Sequence, residues 1–464
     1  MNTILMKSVR LAMLLMLPAS AFAADILWPS FQWGEPNNAP VMTMLKEKFE
    51  QENPGAVVKS VNVPLAAFWD KQFADVASGN APEIVTMYDP DVCAFIEADL
   101  LEPLDSYLSA ASVDTKTLVP TERLAQKNGK TYAIPFQINA RALFYNEKLF
   151  RDAGVTPPKN IDEMTAAIRK LRNVNAQQFG YATVSKPGAA NLLYIEIMPI
   201  VAGFGGGFFK DGKPSANSPP TVAALKFIKM LYDDELIPRG MDTQTYRQLF
   251  VQGKVAMYAT GGFFASVVNN GNKETFANLR AEPLPLPSGN TMSITVFLGV
   301  PKAAKNKDQA AKLLMRMLKD DMQAAIVNLG RTHPGRIGMI PASFTQENPW
   351  FKAFEQATLT AKSYAPEGVE QYGNEIVKVV AENVEGMLFN NVPAETTANN
   401  LQKALTDFMA TKKTPRSKLE GRSSFELVSG PFPGIKEVPS PVLRCQLHRL
   451  ATLAVRVAVE ACVV

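Results

Sequence analysis

Asn139 and Arg141 are the strongly polar residues of an otherwise apolar run over residues 138–145. Polar groups in such a run are costly unless they are hydrogen-bonded or face a wet cleft. The run is therefore either an ordinary buried strand with two edge residues or part of a binding wall. Two acids, Glu35 and Asp89, fall just after strand-like runs, each beside an aromatic residue, Trp33 and Tyr88. Carboxylates and amides hydrogen-bond hydroxyls, and aromatic faces cover weakly apolar C–H surface, so this mix suits a hydroxyl-rich solute. Acids in that setting act through charge-assisted hydrogen bonds and need not move protons. The competing use of Glu35 and Asp89 is an acid/base pair, which demands a fixed separation and a raised pKa on one acid. Other chemistry has little to stand on. Between residues 24 and 414 the only His is His333 and the only Cys is Cys93, so a metal site or a Ser-His-Asp triad would have to be built on His333 alone. No Gly-x-Ser-x-Gly, Walker A or Gly-x-Gly-x-x-Gly pattern accompanies it, and no cofactor is implied.

The elements that must position these residues follow from length and pattern. With 464 residues, 47% hydrophobic and 20% charged, the chain reads as an ordinary globular protein of two domains or lobes. Residues 1–23 read as a secretory signal peptide: Lys7 and Arg10 precede a short apolar run, and Ala21-Phe22-Ala23 gives the small-residue cleavage pattern. The net charge of +4 is carried by the ends, +2 by the signal and +3 by residues 415–464, which leaves the body near −1. Such a body has no footprint for nucleic acid. The tail over 414–464, with five prolines, Cys445, Cys462 and His448, departs from everything before it. It reads as foreign to the fold, or as an added regulatory or oligomerising segment.

From residue 25 the pattern is strand, helix (40–52), strand (56–63), helix (68–78) and strand before Tyr88. This β-α-β-α-β order predicts a mainly parallel sheet with helices on both faces, and ligands then bind beyond the carboxyl ends of the strands. In the second half, helices are predicted over 161–173, 308–318, 348–360, 375–389 and 396–409. The glycines over 203–207 lie among Phe204, Phe208 and Phe209 with no Lys-Ser/Thr beyond, and read as a structural turn.

Tyr132-Ala133-Ile134-Pro135-Phe136 followed by Leu143-Phe144-Tyr145-Asn146-Glu147-Lys148-Leu149-Phe150 resembles the lobe-crossing segment of the extracellular solute-binding proteins of bacterial ABC importers. More narrowly, it is similar to the sugar-binding family that includes maltose-binding protein. Ser78-Gly79-Asn80-Ala81-Pro82-Glu83-Ile84, Leu100-Leu101-Glu102-Pro103-Leu104-Asp105 and Phe250-Val251-Gln252-Gly253-Lys254-Val255-Ala256-Met257 extend the resemblance over about residues 25–409. It implies an α/β, periplasmic-binding-protein-like (class II) fold of two lobes, 24–137 with 291–337 and 138–290 with 338–413. They would be joined near 138–142, 283–290 and 337–341. It further implies a monomeric, non-enzymatic periplasmic receptor that closes on a sugar or polyol and delivers it to the membrane permease subunits of an ABC transporter. The ligand residues implied are Trp33, Glu35, Tyr88, Asp89, Asn139 and Arg141 from the segments above, with Gly262, Phe263 and Tyr372 across the cleft. Phe263 stands where many members carry Trp, which implies a smaller stacking surface. Arg336 and Arg141 keep open an anionic solute, a sugar acid or glycerophosphate, since guanidinium clamps carboxylate or phosphate. A secreted glycoside hydrolase is the other alternative.

Overall fold

The computed structural model describes residues 24–183 and 185–413. The signal peptide expected over 1–23 and the atypical tail over 414–464 lie outside the described residues. The chain divides into two units, Met1–Phe408 and Met409–Val464. Of the second, only residues 409–413 are described, all helical; the architecture below is that of the first.

Strand β1 (Ala24–Ser30) turns Ile26, Trp28 and Ser30 inward, the two-residue period of a strand with one buried face. Helix α1 (Ala39–Glu52) starts with Pro40 in its first turn, buries Val41, Met42, Leu45 and Phe49, and stops at Asn53 before Gly55, whose φ is +92°. It carries the chain over to β2 (Ala56–Asn62), parallel to β1 in register. Then come α2 (Leu65–Ala77), β3 (Val85–Met87) and α3 (Asp89–Glu97). Two strands follow end to end, β4 (Ala133–Ala140) and β5 (Ala142–Asn146). Beyond them lie α4 (Ile161–Leu171), β6 (Phe179–Ala182), α5 (Ala190–Gly203) and α6 (Pro219–Asp233). Asn160 caps α4 by accepting from the Glu163 N–H at 2.9 Å. The chain continues through α7 (Thr243–Val251), β7 (Val255–Thr260), α8 (Phe264–Gly271), β8 (Leu279–Glu282) and β9 (Met292–Gly299). It ends with α9 (Lys307–Met317), α10 (Asp320–Gly330), β10 (His333–Pro334), α11 (Lys352–Thr360), β11 (Lys362–Ser363), α12 (Gly373–Phe389) and α13 (Ala394–Lys413).

Two main sheets result. In the first, β9 pairs antiparallel with β4 and β3 and parallel with β11, and β10 borders β4. In the second, the order is β8-β5-β7-β6, with β5 antiparallel to both neighbours and β7 parallel to β6. The expected parallel pairing holds for β1 and β2. The first main sheet is mixed instead, because β4 leads the chain out of it and β9 brings the chain back beside β4. Its core packs Trp28, Leu45, Phe136, Leu298 and Leu314.

One residue, Arg141, separates β4 from β5 and so links the two sheets. Its N–H donates to the Met292 carbonyl at 3.0 Å and its carbonyl accepts from the Thr291 hydroxyl at 2.9 Å, which stitches the outgoing chain to the returning one. Past β10 the chain still lies on β4 at Gly335, where a Cβ would lie 2.0 Å from the Pro135 carbonyl oxygen. Only glycine fits that approach.

Candidate functional site

A cavity of about 470 Å3 lies between residues of the two sheets and their helices. Its first wall is set by a buried hydrogen-bond cluster at the ends of β1 and β3. The Thr86 hydroxyl donates to Ser30 Oγ and accepts from Trp28 Nε1, both at 3.1 Å. Ser30 Oγ also accepts from the Gln32 N–H at 3.2 Å, and this caps the 3-10 turn Phe31–Gly34 that delivers Phe31, Gln32 and Glu35 to the cavity. Gln72 on α2 brackets the Thr86 backbone with two hydrogen bonds, 2.8 and 3.1 Å. That clamp fixes the helix carrying Trp69, whose ring lies 4.5 Å from Tyr88 and 5.4 Å from Phe31.

The floor is strand β4 with β9. Gln137, Asn139 and Arg141 alternate along the chain and so share one face, and their cross-strand partners Val296 and Ile294 line the cavity beside them. The Asn139 side-chain Oδ1 accepts from the Thr332 hydroxyl at 2.9 Å. Gln137 Oε1 and Arg141 Nη1 are buried with no partner among the described residues. A buried polar atom left unsatisfied is costly and asks for an explanation.

The second wall comes from α5, α7 and the turn before α8. Asn191, Ile195 and Glu196 share one face of α5, and Thr243 and Arg247 one face of α7. Glu196 is buried and its Oε1 accepts from Tyr258 Oη at 2.8 Å. The same hydroxyl accepts from Arg247 Nε and Nη2 at 3.3 Å and meets Tyr246 Oη at 3.2 Å. The Arg247 guanidinium also stands 5.3 Å over the Phe263 ring. Gly261 and Gly262 precede that ring because the chain runs close to its neighbours here. A Cβ on Gly261 would meet Arg141 Nη1 at 2.8 Å, and one on Gly262 the Arg331 carbonyl at 2.7 Å.

Of the residues expected from the sequence, Glu35, Tyr88, Asn139, Arg141 and Phe263 line the cavity. The structure does not bring the other five to it. Trp33 donates its indole N–H to the Trp28 carbonyl at 2.9 Å and packs edge-on against Trp28 at 5.3 Å. Asp89 is fully buried and holds β9 and β11 to the start of α3, accepting from the Thr295 N–H at 2.8 Å and the Ser363 hydroxyl at 3.1 Å. Gly262 is a close-approach glycine. Arg336 turns away to Asp320 at 2.6 Å, the Leu318 carbonyl at 3.0 Å and Thr117 at 3.1 Å. Tyr372 packs edge-on 6.3 Å from Phe408; Tyr364 and Asn374 reach the cavity from that region. His333 sits buried in β10 with Nδ1 2.8 Å from the Pro334 carbonyl, and burial lowers its pKa. Among the described residues no group of three His, Cys, Asp or Glu could hold a metal ion. Among the lining residues that sequence reasoning missed are Trp69, Gln137, Glu196, Thr243 and Arg247. For Gln137 a signal was present, since the alternation through Asn139 and Arg141 extends back to it.

Burial pushes the Glu35 carboxyl up, and Arg247 pulls it back down. Glu196 is raised by burial and lowered by Arg247 and Arg141. Burial also pushes the Asp89 carboxyl from the usual 3.8 up to about 7, against the pull of its two hydrogen bonds. A carboxyl raised in this way holds its proton to higher pH in the fold than in the unfolded chain, so its contribution to stability falls as pH rises between about 4 and 7. Asp89→Asn keeps an oxygen for the Thr295 N–H and offers its NH2 to the Ser363 hydroxyl, with nothing to ionise. Urea midpoints at pH about 5 and about 7.5 are expected to show wild type losing ground to the variant across that window. A constant gap would mean that Asp89 ionises at ordinary pH.

A mixed α/β protein whose cavity opens between two sheets, with hydroxyl-binding groups on the floor and aromatic rings on one wall, is a receptor for a small polar solute. The fold is the expected α/β, periplasmic-binding-protein-like (class II) one. The chain belongs to the bacterial extracellular solute-binding protein family, whose sequence model matches residues 34–325. A binding protein of Brucella abortus is 27% identical over 323 residues, 67% of this chain and 76% of its own length. A maltotriose-binding protein of Pyrococcus abyssi is 25% identical over 265 residues, 56% of this chain and 53% of its own. Among solved structures, UgpB from Mycobacterium tuberculosis in complex with glycerophosphocholine matches with a TM-score of 0.75 at 18% identity, covering 84% of this chain and 100% of that one. That last likeness is one of fold.

Proposed function

We propose that this protein binds one small carbohydrate or polyol in the cavity and delivers it to the membrane subunits of an ABC importer, acting as a periplasmic monomer without catalysis. The observation that carries the reading is the lining, where the polar side chains of Gln137, Asn139, Asn191 and Thr243 stand in one cavity with the aromatic wall of Phe31, Trp69 and Tyr88. Hydroxyls satisfy the first set and ring C–H faces cover the second. Family membership and the maltotriose-binding relative support the same solute class. The two lobes are taken as 24–137 with 291–337 and 138–290 with 338–413, closing about the chain passages described above. Hydrolysis loses its acid/base pair, because Asp89 is committed to Thr295 and Ser363 away from the cavity. A thermal-shift screen over sugars, polyols, sugar acids, glycerophosphates and amino acids tests the reading. A carbohydrate or polyol is expected to raise the melting temperature without turnover, and stabilisation by amino acids or peptides alone would reject it.

A further inference from the structure

Resting on that reading, we infer that Arg247 is the donor with which the second wall grips an oxygen of the solute, and that Tyr258, which lies outside the cavity lining, is the residue that positions it. Tyr258 stands in the second sheet with Phe144 and Ala182 as its cross-strand partners, and its ring is fully buried. Tyr246 and Phe264 pack edge-on against it, 5.3 and 5.1 Å away. Its hydroxyl is therefore a fixed point. That hydroxyl has one hydrogen, given to Glu196 Oε1 at 2.8 Å, so toward Arg247 it accepts.

Arg247 Nε and Nη2 both donate to it at 3.3 Å. These two nitrogens form one edge of a planar guanidinium, and Nη1 points away from that edge. Nη1 hydrogen-bonds nothing among the described residues, yet it is not one of the buried unpartnered atoms, as Arg141 Nη1 is. Arg247 is half-buried and lines the cavity, so this nitrogen reaches open space there. The guanidinium also lies over the Phe263 ring at 5.3 Å and closes that face of the ring to a solute. In place of a stacking ring on that side, the second wall offers a held donor. Nη1 can only donate, and a hydroxyl, a ring oxygen or an anionic oxygen would each accept from it. Ordering a loose arginine on binding weakens affinity, and one already held by Tyr258 escapes that loss.

The test is isothermal titration with glucose, maltose, maltotriose, glycerol, glucuronate and sn-glycerol 3-phosphate, which present these acceptors in neutral and anionic form. Variants are then titrated with whichever of these probes binds the wild type most tightly. Arg247→Met is expected to raise that probe's Kd roughly 10- to 100-fold, the loss of one hydrogen bond from a charged donor. Tyr258→Phe is expected to raise it roughly 2- to 10-fold, since Arg247 must then be ordered on binding. In the Arg247→Met background, Tyr258→Phe should add nothing. Wild-type affinity in Arg247→Met overturns the inference and leaves the receptor reading intact. Equal losses from Tyr258→Phe in both backgrounds overturn the positioning role. Binding of none of these probes, with an amino acid or peptide bound instead, overturns the receptor reading and this inference with it. A measurement on the wild type covers the case of a Tyr258→Phe chain that fails to fold. The Arg247 Nε–H proton resonance, identified by its absence from Arg247→Lys, should exchange slowly with solvent and shift on saturation with the same probe. Fast exchange overturns the positioning role, and an unmoved resonance overturns the contact.

Discussion

Trp69→Ala is expected to weaken binding of the proposed sugar or polyol by ~1–3 kcal/mol, a roughly 5- to 150-fold rise in Kd, with a smaller effect on folding. Trp69 is the cavity-lining indole of the first wall, and it stands in contact with the rings of Phe31, Phe68 and Tyr88. Removing it takes away stacking surface and lets the Tyr88 ring drift. Trp33→Ala should behave in the opposite way. Its ring packs on the fully buried Trp28 and its N–H is satisfied by the Trp28 carbonyl. Its loss is expected to cost ~2–4 kcal/mol of stability while affinity survives. Calorimetric titration and urea unfolding of both variants decide the matter. Trp33→Ala losing affinity at unchanged stability would restore Trp33 to the site.

Glu196→Ala should be among the most damaging single changes in the second wall, at ~3–5 kcal/mol of stability. Glu196 accepts from the Tyr258 hydroxyl and supplies counter-charge for Arg141 and Arg247. Without it, Arg141, which is 5% exposed, keeps its charge in an uncompensated interior. Glu196→Gln retains an acceptor for Tyr258 and should be milder, so the difference between the two variants isolates the role of charge. Equal, small losses in urea unfolding would show that the network is bridged by water and tolerates the change.

How much of this was legible in the sequence depended on whether burial left a period behind. Helix α1 shows one apolar stripe against polar residues and was readable within a residue of its observed start. Helix α5 was not read at all: Leu193, Tyr194, Ile197, Met198, Ile200 and Val201 bury it all round, and Pro199 lies inside it. Such a helix has no polar face to reveal its pitch, so Glu196 stayed hidden with it. Asn139 and Arg141 were found because polar residues in an apolar run are conspicuous. Trp69 was overlooked because α2 was read for its inward face, and what turns Trp69 to the cavity is the clamp of Gln72 on Thr86, a contact between distant parts of the chain. Trp33, Arg336 and Tyr372 were named from loop position, which fixes a neighbourhood but not which way a side chain points.

The single-residue link at Arg141 has a mechanical consequence. When two bodies rotate about a joint, atoms at the pivot sweep almost no distance, and displacement grows with the lever arm. If the two proposed lobes rotate about this link, a solute held by Arg141 would keep that contact through the whole swing, while rings farther from the joint would travel toward it. On that proposed closure, Arg141 would take hold before closing and anchor afterwards, which would separate capture from clamping in one receptor. A fluorophore near Arg141 would then sense occupancy through chemistry alone. A donor–acceptor pair placed far out, one dye on α1 and one on α6, would sense the swing, and the two signals together would time capture against closure.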